Sequence, residues 1–263
     1  MVILILIERI KMKQIANIAA MVLLAFTIGC ASTGNLNRYP LRRIDRPYTL
    51  PKGVASWEPT WDSNTLKHGD NLSKVSSTNI LSWTQSVSDN LNIMWFPLPL
   101  ALSYQLRNTD ANTLGITFGI SNFGYSDDEH LTLGLITAGY QKYKFAESLA
   151  LVNEVSFSPV IRTEGNRSYS WEVQTRTGIL IQMGDNFAIL PAVHLSAEHN
   201  YPFIFDKLKA FEDKTYFLVP FSIATSWNIN RQWEITTNYK FTSVGYPKND
   251  RAEYLILGLI HYW

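Results

Sequence analysis

Between Tyr169 and Met183 the chain alternates with a period of two. Tyr169, Trp171, Val173, Thr175, Thr177, Ile179, Ile181 and Met183 fall on one side, and Ser170, Glu172, Gln174, Arg176 and Gln182 on the other. Successive side chains of a β-strand point to opposite faces, so this is one strand with an apolar face and a polar face. Strands of soluble sheets run to about five or six residues. A strand this long, apolar outside and polar inside, suits a tilted wall that crosses a bilayer. A soluble sandwich also alternates, but with shorter strands whose polar face looks outward to water.

The same split recurs. Trp233, Ile235, Tyr239 and Phe241 oppose Glu234, Asn238 and Lys240. Phe217, Val219, Phe221, Ile223 and Trp227 oppose Ser222, Ala224, Ser226 and Asn228. From Pro51 onward no stretch has helical periodicity, and beyond the N-terminus no apolar run approaches the ~20 residues a spanning helix needs. The fold class is therefore all-β, in one domain. Composition agrees: charged residues are 17% of the chain, against roughly 25% in soluble proteins, while aromatics reach 13%. The net charge of +1, with no basic stretch interleaved with aromatics, gives no sign of a nucleic-acid groove, and no nucleic-acid partner is expected.

Short polar turns punctuate the alternation at Ser88-Asp89-Asn90-Leu91, Ala146-Glu147-Ser148-Leu149, Gly184-Asp185-Asn186-Phe187 and Ile229-Asn230-Arg231-Gln232-Trp233, with a looser copy at 107–114. Each is followed at once by a large apolar residue. They resemble the periplasmic turns of Gram-negative outer-membrane barrels. The connections at 63–77, 124–129, 163–168, 202–214 and 247–252 resemble the extracellular loops. The expectation is an antiparallel transmembrane up-and-down β-barrel over 51–263. Counting back from Trp263 places strands near 253–263, 232–246, 215–228, 187–201, 169–183, 149–162, 130–144 and 113–123. Two short strands within 91–106, reversing at Pro97–Pro99, and strands near 79–87 and 52–62 bring the total to twelve. Ten or eight strands are the alternatives.

Aromatics form two groups. Phe145, Phe187, Trp227, Trp233 and Trp263 sit at the short-turn end, and Tyr125, Tyr169, Trp171, Tyr201, Tyr216, Tyr246 and Tyr254 at the loop end, as interfacial girdles do. The last strand, 254–263, resembles the C-terminal signal read by the barrel-assembly machinery. Gly258 and the terminal Trp263 fit, His261 stands where an aromatic is commoner, and Tyr262 is out of phase.

From Met12 the N-terminus has a basic start, an apolar core from Ile15 to Ile28, and small residues around the single Cys30, which is the anatomy of an export signal over 1–29. The short apolar stretch before it suggests that translation starts at Met12. The row Thr27-Ile28-Gly29-Cys30 resembles a lipoprotein lipobox, which implies lipidation of Cys30; Ala31, not being Asp, implies the outer membrane. Residues 31 to about 50 are polar, contain two Pro and four Arg in a short span, and have no periodicity. They read as part of a periplasmic tether over 30–50.

The lumen is expected to carry Glu154, Arg162, Glu172, Arg176, Glu234 and Lys240, a mixture of both signs. One constellation invites a chemical reading: His194, Ser196 and Glu198 share a face, placing an imidazole and a carboxylate beside a hydroxyl. The His-x-Ser spacing resembles that of outer-membrane phospholipase A and of lipid A deacylases, though those follow Ser with Asn and here Ala197 follows. A polar stripe lining the barrel is the plainer account. No metal site or cofactor is expected. The role expected is passive, as a narrow channel for small polar solutes or a structural envelope protein, in contact with outer-membrane lipid and lipopolysaccharide. A lipid-active hydrolase using His194 and Ser196, and a binding or adhesion protein acting through 202–214, are the alternatives.

Overall fold

The computed structural model describes residues 35–68, 71–95, 100–125, 131–162, 168–199, 215–242 and 251–263. Thirteen strand segments account for most of them: β1 (Ala55–His68), β2 (Asn71–Ser88), β3 (Leu91–Trp95), β4 (Leu100–Asn108), β5 (Asn112–Tyr125), β6 (Leu131–Ala146), β7 (Leu149–Arg162), β8 (Ser168–Met183), β9 (Phe187–His199), β10 (Thr215–Leu218), β11 (Phe221–Asn228), β12 (Trp233–Thr242) and β13 (Arg251–Tyr262). Each pairs antiparallel with its neighbours. β10 and β11 both pair with β9, one after the other along its length, so they are two parts of one strand interrupted at Val219-Pro220. Pro220 has no N–H to give to a ladder, which accounts for a break there. β13 pairs with β1, and β8 with β9, so the twelve-stranded sheet closes on itself.

The wall is inverted relative to a soluble protein. In β9, Val193 and Leu195 are exposed on the outside, while His194 and Ser196 are only 5% and 3% exposed within. In β11, Phe221, Ile223 and Trp227 face out, and Ser222, Ser226 and Asn228 are buried inside. Closure gives each of the twelve strands a neighbour on both sides, as a bilayer demands of a spanning sheet. The short turns 89–90, 109–111, 147–148, 184–186 and 229–232 all lie at one end of the barrel, as expected from their sequence. In the β8–β9 turn Gly184 has φ +68°, a left-handed conformation that favours glycine.

One expectation about the wall is revised. The connection read over 63–77 is mostly strand: β1 and β2 stay paired out to His68 opposite Asn71. Polar residues stand at both odd and even positions of that sequence, which erases the alternation while backbone pairing is intact. The reversal expected at Pro97–Pro99 falls between β3 and β4, whose register runs from Leu91 opposite Tyr104 to Trp95 opposite Leu100; the prolines themselves lie outside the described residues.

Candidate functional site: the lumen and its short-turn mouth

The largest departure from the sequence reading is the segment before β1. Read as a free tether, residues 35–50 instead enter the short-turn end of the barrel. Two 3₁₀ turns, Leu36–Arg38 and Arg43–Asp45, give the segment its only regular structure among the described residues. Its backbone is irregular, so its polar groups need partners elsewhere. Inward side chains one step from the short turns provide them. Ile44 N–H donates to Gln182 Oε1 at 3.2 Å, Tyr48 N–H to Gln105 Oε1 at 2.8 Å, and Leu50 N–H to Asn92 Oδ1 at 3.3 Å. Lys142 Nζ donates to the Arg46 carbonyl at 2.5 Å, and Asn228 Nδ2 to the Leu41 carbonyl at 2.9 Å.

Apolar anchors accompany these rungs. Ile44 is 1% exposed and packs on inward Ala150, Val152, Leu180, Ala188 and Leu190. Burying such a side chain contributes about 1.5–3 kcal/mol. Tyr48 stacks on Tyr140 with ring centroids 5.0 Å apart, and its hydroxyl bonds to Thr117 Oγ1 at 2.5 Å. Burial holds this phenol above the usual tyrosine range. A Cβ added at Gly115 would come within 2.0 Å of the Tyr48 ring, so the ring occupies the space that this glycine leaves. Gly115→Ala is expected to destabilise the protein by about 1–3 kcal/mol, read as a lower temperature for loss of heat-modifiable mobility; an unchanged temperature would place the ring elsewhere.

Charge finishes the closure. Arg46 Nη1 meets Glu234 Oε2 at 2.5 Å and Arg43 Nη1 meets Glu234 Oε1 at 3.3 Å. Ser226 Oγ donates to the same carboxylate, and Tyr262 O–H does so at 2.8 Å. Lys144 pairs with Asp45 at 2.6 Å. Glu234 does face inward, but as the anchor of residues 35–50, not as a group open to a solute.

Beyond this closure lies a cavity of about 480 Å³, with Tyr48, Leu50 and Tyr262 on one side and wall residues including Ser56, Glu58, Thr84, Ser103, Gln174 and Arg176 around it. Glu154 and Arg176, opposite each other in register on β7 and β8, form an ion pair of 3.0 Å in its wall. Glu172 accepts from Gln174 Nε2 at 3.3 Å and stands opposite Glu198. Lys240 is opposite Ser222, with its Nζ 6.0 Å from the centre of the Tyr254 ring. Arg162 ends β7, but its side chain lies outside the described residues, as do Cys30 and all of 202–214.

The hydrolase constellation is not assembled in this geometry. His194 Nε2 bonds to Ser222 Oγ at 2.7 Å, on the neighbouring strand. The Ser196 hydroxyl instead reaches the carboxylates of Glu198 at 3.1 Å and Glu172 at 3.3 Å. Sharing a face at period two brought His194 and Ser196 into one row, but a serine acts as a nucleophile only with its base within hydrogen-bond reach. Fatty-acid release from phospholipid is expected to be equal for the protein and Ser196→Ala; loss of release in the variant would contradict this.

The outer surface holds a feature the sequence did not reveal. Trp95, Trp83, Trp57, His261 and Trp233 stand opposite one another in successive strands, one continuous row near the short-turn end. Trp57 Nε1–H donates to His261 Nδ1 at 3.2 Å, and the Trp233 and His261 rings lie 4.3 Å apart. His261 thus serves as one ring of the girdle, which explains why it can replace an aromatic. Trp263 packs edge-on against Trp83 at 4.7 Å, and its backbone exchanges two hydrogen bonds of 3.0 Å with Ala55 across the closing seam. Gly258 faces inward, where a Cβ would lie 2.5 Å from Glu58 Oε1 and from Thr236 Oγ1.

No protein-family model matches the chain, and no curated protein does so either. Solved structures do share its architecture. The COG4313 outer membrane channel from Pseudomonas putida F1 aligns with a TM-score of 0.54 at 12% identity, over 82% of this chain and 97% of that one. The β domain of the Bordetella autotransporter BrkA aligns with a TM-score of 0.51 at 8% identity, over 80% of this chain and 99% of that one. Similarity at such identity speaks for the fold, which is that of a closed, twelve-stranded, antiparallel β-barrel of the outer-membrane type.

Proposed function

We propose that the protein is an integral outer-membrane barrel acting as a narrow channel for small polar solutes, with its short-turn mouth occupied by its own N-terminal segment. The observation that carries this reading is the cavity of about 480 Å³, lined by polar side chains such as Ser56, Ser103 and Gln174 together with apolar ones, inside a wall whose outer face is apolar. A purely structural barrel has no need of an unfilled polar interior, whereas a solute path does. The shared architecture with the Pseudomonas putida channel supports the same reading.

In this account the short turns face the periplasm and the longer connections face outward, as in barrels of this type. Cys30, five residues before Asn35, would carry a lipid anchor beside the periplasmic rim. The aromatic row at 57, 83, 95, 233 and 261 would sit at the lipid headgroups, where rings with a polar edge are favoured. Lipid and lipopolysaccharide would surround the wall, and the barrel-assembly machinery would read the strand ending in Trp263.

Vesicle swelling tests the channel. Protein in phospholipid vesicles is expected to admit small neutral polyols and exclude larger oligosaccharides, because Tyr48 and Leu50 narrow the passage. Swelling no faster than that of empty vesicles, for every solute tried, would overturn the proposal.

A further inference from the structure

The guanidinium of Arg46 occupies a site built for it. One edge meets Glu234 Oε2 through Nη1 at 2.5 Å, while Nη2 donates to Asn228 Oδ1 and to the Leu41 carbonyl at 3.4 Å. Nε donates to the Pro40 carbonyl at 3.0 Å. The rings of Tyr39 and Tyr262 lie 4.8 and 5.8 Å from the guanidinium carbon. A planar fork of donors, a carboxylate, a carboxamide and two aromatic rings are the elements of selective guanidinium recognition. An ammonium could satisfy the charge but not the fork.

Half of this receptor, including its carboxylate, belongs to the wall. Glu234, Asn228 and Tyr262 stand on β12, β11 and β13, and Ser226 and the Tyr262 hydroxyl hold the carboxylate in place. These groups are carried by the sheet and not by residues 35–50. An apolar stopper could be held by packing alone. A stopper fastened by a buried ion pair is held by a contact that another cation of the same shape can replace, and its loss leaves the buried Glu234 with Arg43, at 3.3 Å, as its remaining cationic partner.

We infer that the Glu234–Asn228–Tyr262 pocket is a guanidinium-binding site which latches residues 35–50 through Arg46, and which accepts a guanidinium-bearing solute when that side chain is withdrawn. The inference does not depend on conduction. It concerns what holds the segment, and a docked segment could equally close a barrel that conducts nothing.

Hydrogen exchange of the full chain tests it, because the amides of Ile44, Tyr48 and Leu50 donate to wall side chains and report docking directly. In Arg46→Ala these amides are expected to exchange at least about tenfold faster than in the unaltered protein, while strand amides of β7 and β8 remain protected. Methylguanidinium at millimolar concentration is expected to restore the protection, and methylammonium is not. Should Arg46→Ala fail to refold alone, refolding yield restored by methylguanidinium and not by methylammonium reads the same site. Unchanged exchange in Arg46→Ala, absence of rescue, or equal rescue by both cations would each overturn the inference. Restored protection in a protein that passes no solute would leave the latch standing and remove only the channel.

Discussion

Glu234→Ala is expected to cost about 3–5 kcal/mol of stability, measured as the urea dependence of tryptophan fluorescence of the refolded protein. Arg46, Arg43, Ser226 and Tyr262 all converge on this one carboxylate, which is itself 1% exposed. Removing it strands a buried guanidinium and two hydroxyls together. The loss is bounded by the alternative open to the molecule, which is to expel residues 35–50 and let Arg46 return to water. Ile44 would then leave its apolar cradle, and the amides of Tyr48 and Leu50 would lose their wall partners. Glu234→Gln keeps an acceptor for the guanidinium fork and should lose less. A Glu234→Ala variant with the unfolding midpoint of the unaltered protein would show that the segment is not fastened there.

A charge on the outer face should be nearly as damaging, and by a different route. Leu195 is 59% exposed on the outer face, opposite Thr175 near mid-height of β8. If that surface meets hydrocarbon, Leu195→Arg costs about 2–4 kcal/mol at the midplane. The matching change at Gln174, one residue along β8 but facing the cavity, leaves an arginine among polar groups and water. Refolding yield into vesicles is therefore expected to collapse for Leu195→Arg and to persist for Gln174→Arg. Equal yields would mean that the outer surface is not immersed in lipid.

The sequence displays what is periodic and local. Alternation over Tyr169–Met183, an Asn- or Asp-bearing turn ahead of Leu91, Phe187 and Trp233, and the need for an even count lead to twelve strands, because each follows from residues next to one another. The docking of residues 35–50 is not written that way. Its amides are satisfied by Gln182, Gln105 and Asn92, side chains dozens of residues away, so the segment itself carries no repeat to read. The signal that existed lay in the wall: inward carboxamides and a carboxylate gathered one step from the short turns, where nothing in a simple tube needs them. The girdle row was hidden for a related reason. Trp57, Trp83, Trp95, Trp233 and His261 align only once strand register is fixed, and register depends on bulges such as those at Glu58/Thr60 and Ser86/Ser88. His194 and Ser196 illustrate the opposite error. A shared face was legible, but the imidazole chose Ser222 across the strand pair over Ser196 along its own strand.

The most direct measurement is single-channel recording in planar bilayers of the full chain, beside a chain lacking residues 35–50. Small discrete conductance steps are expected for the full chain and larger ones once the segment is removed, since the same lumen is then open at its short-turn mouth. No step above the bilayer background in either protein, at any voltage, would contradict the channel.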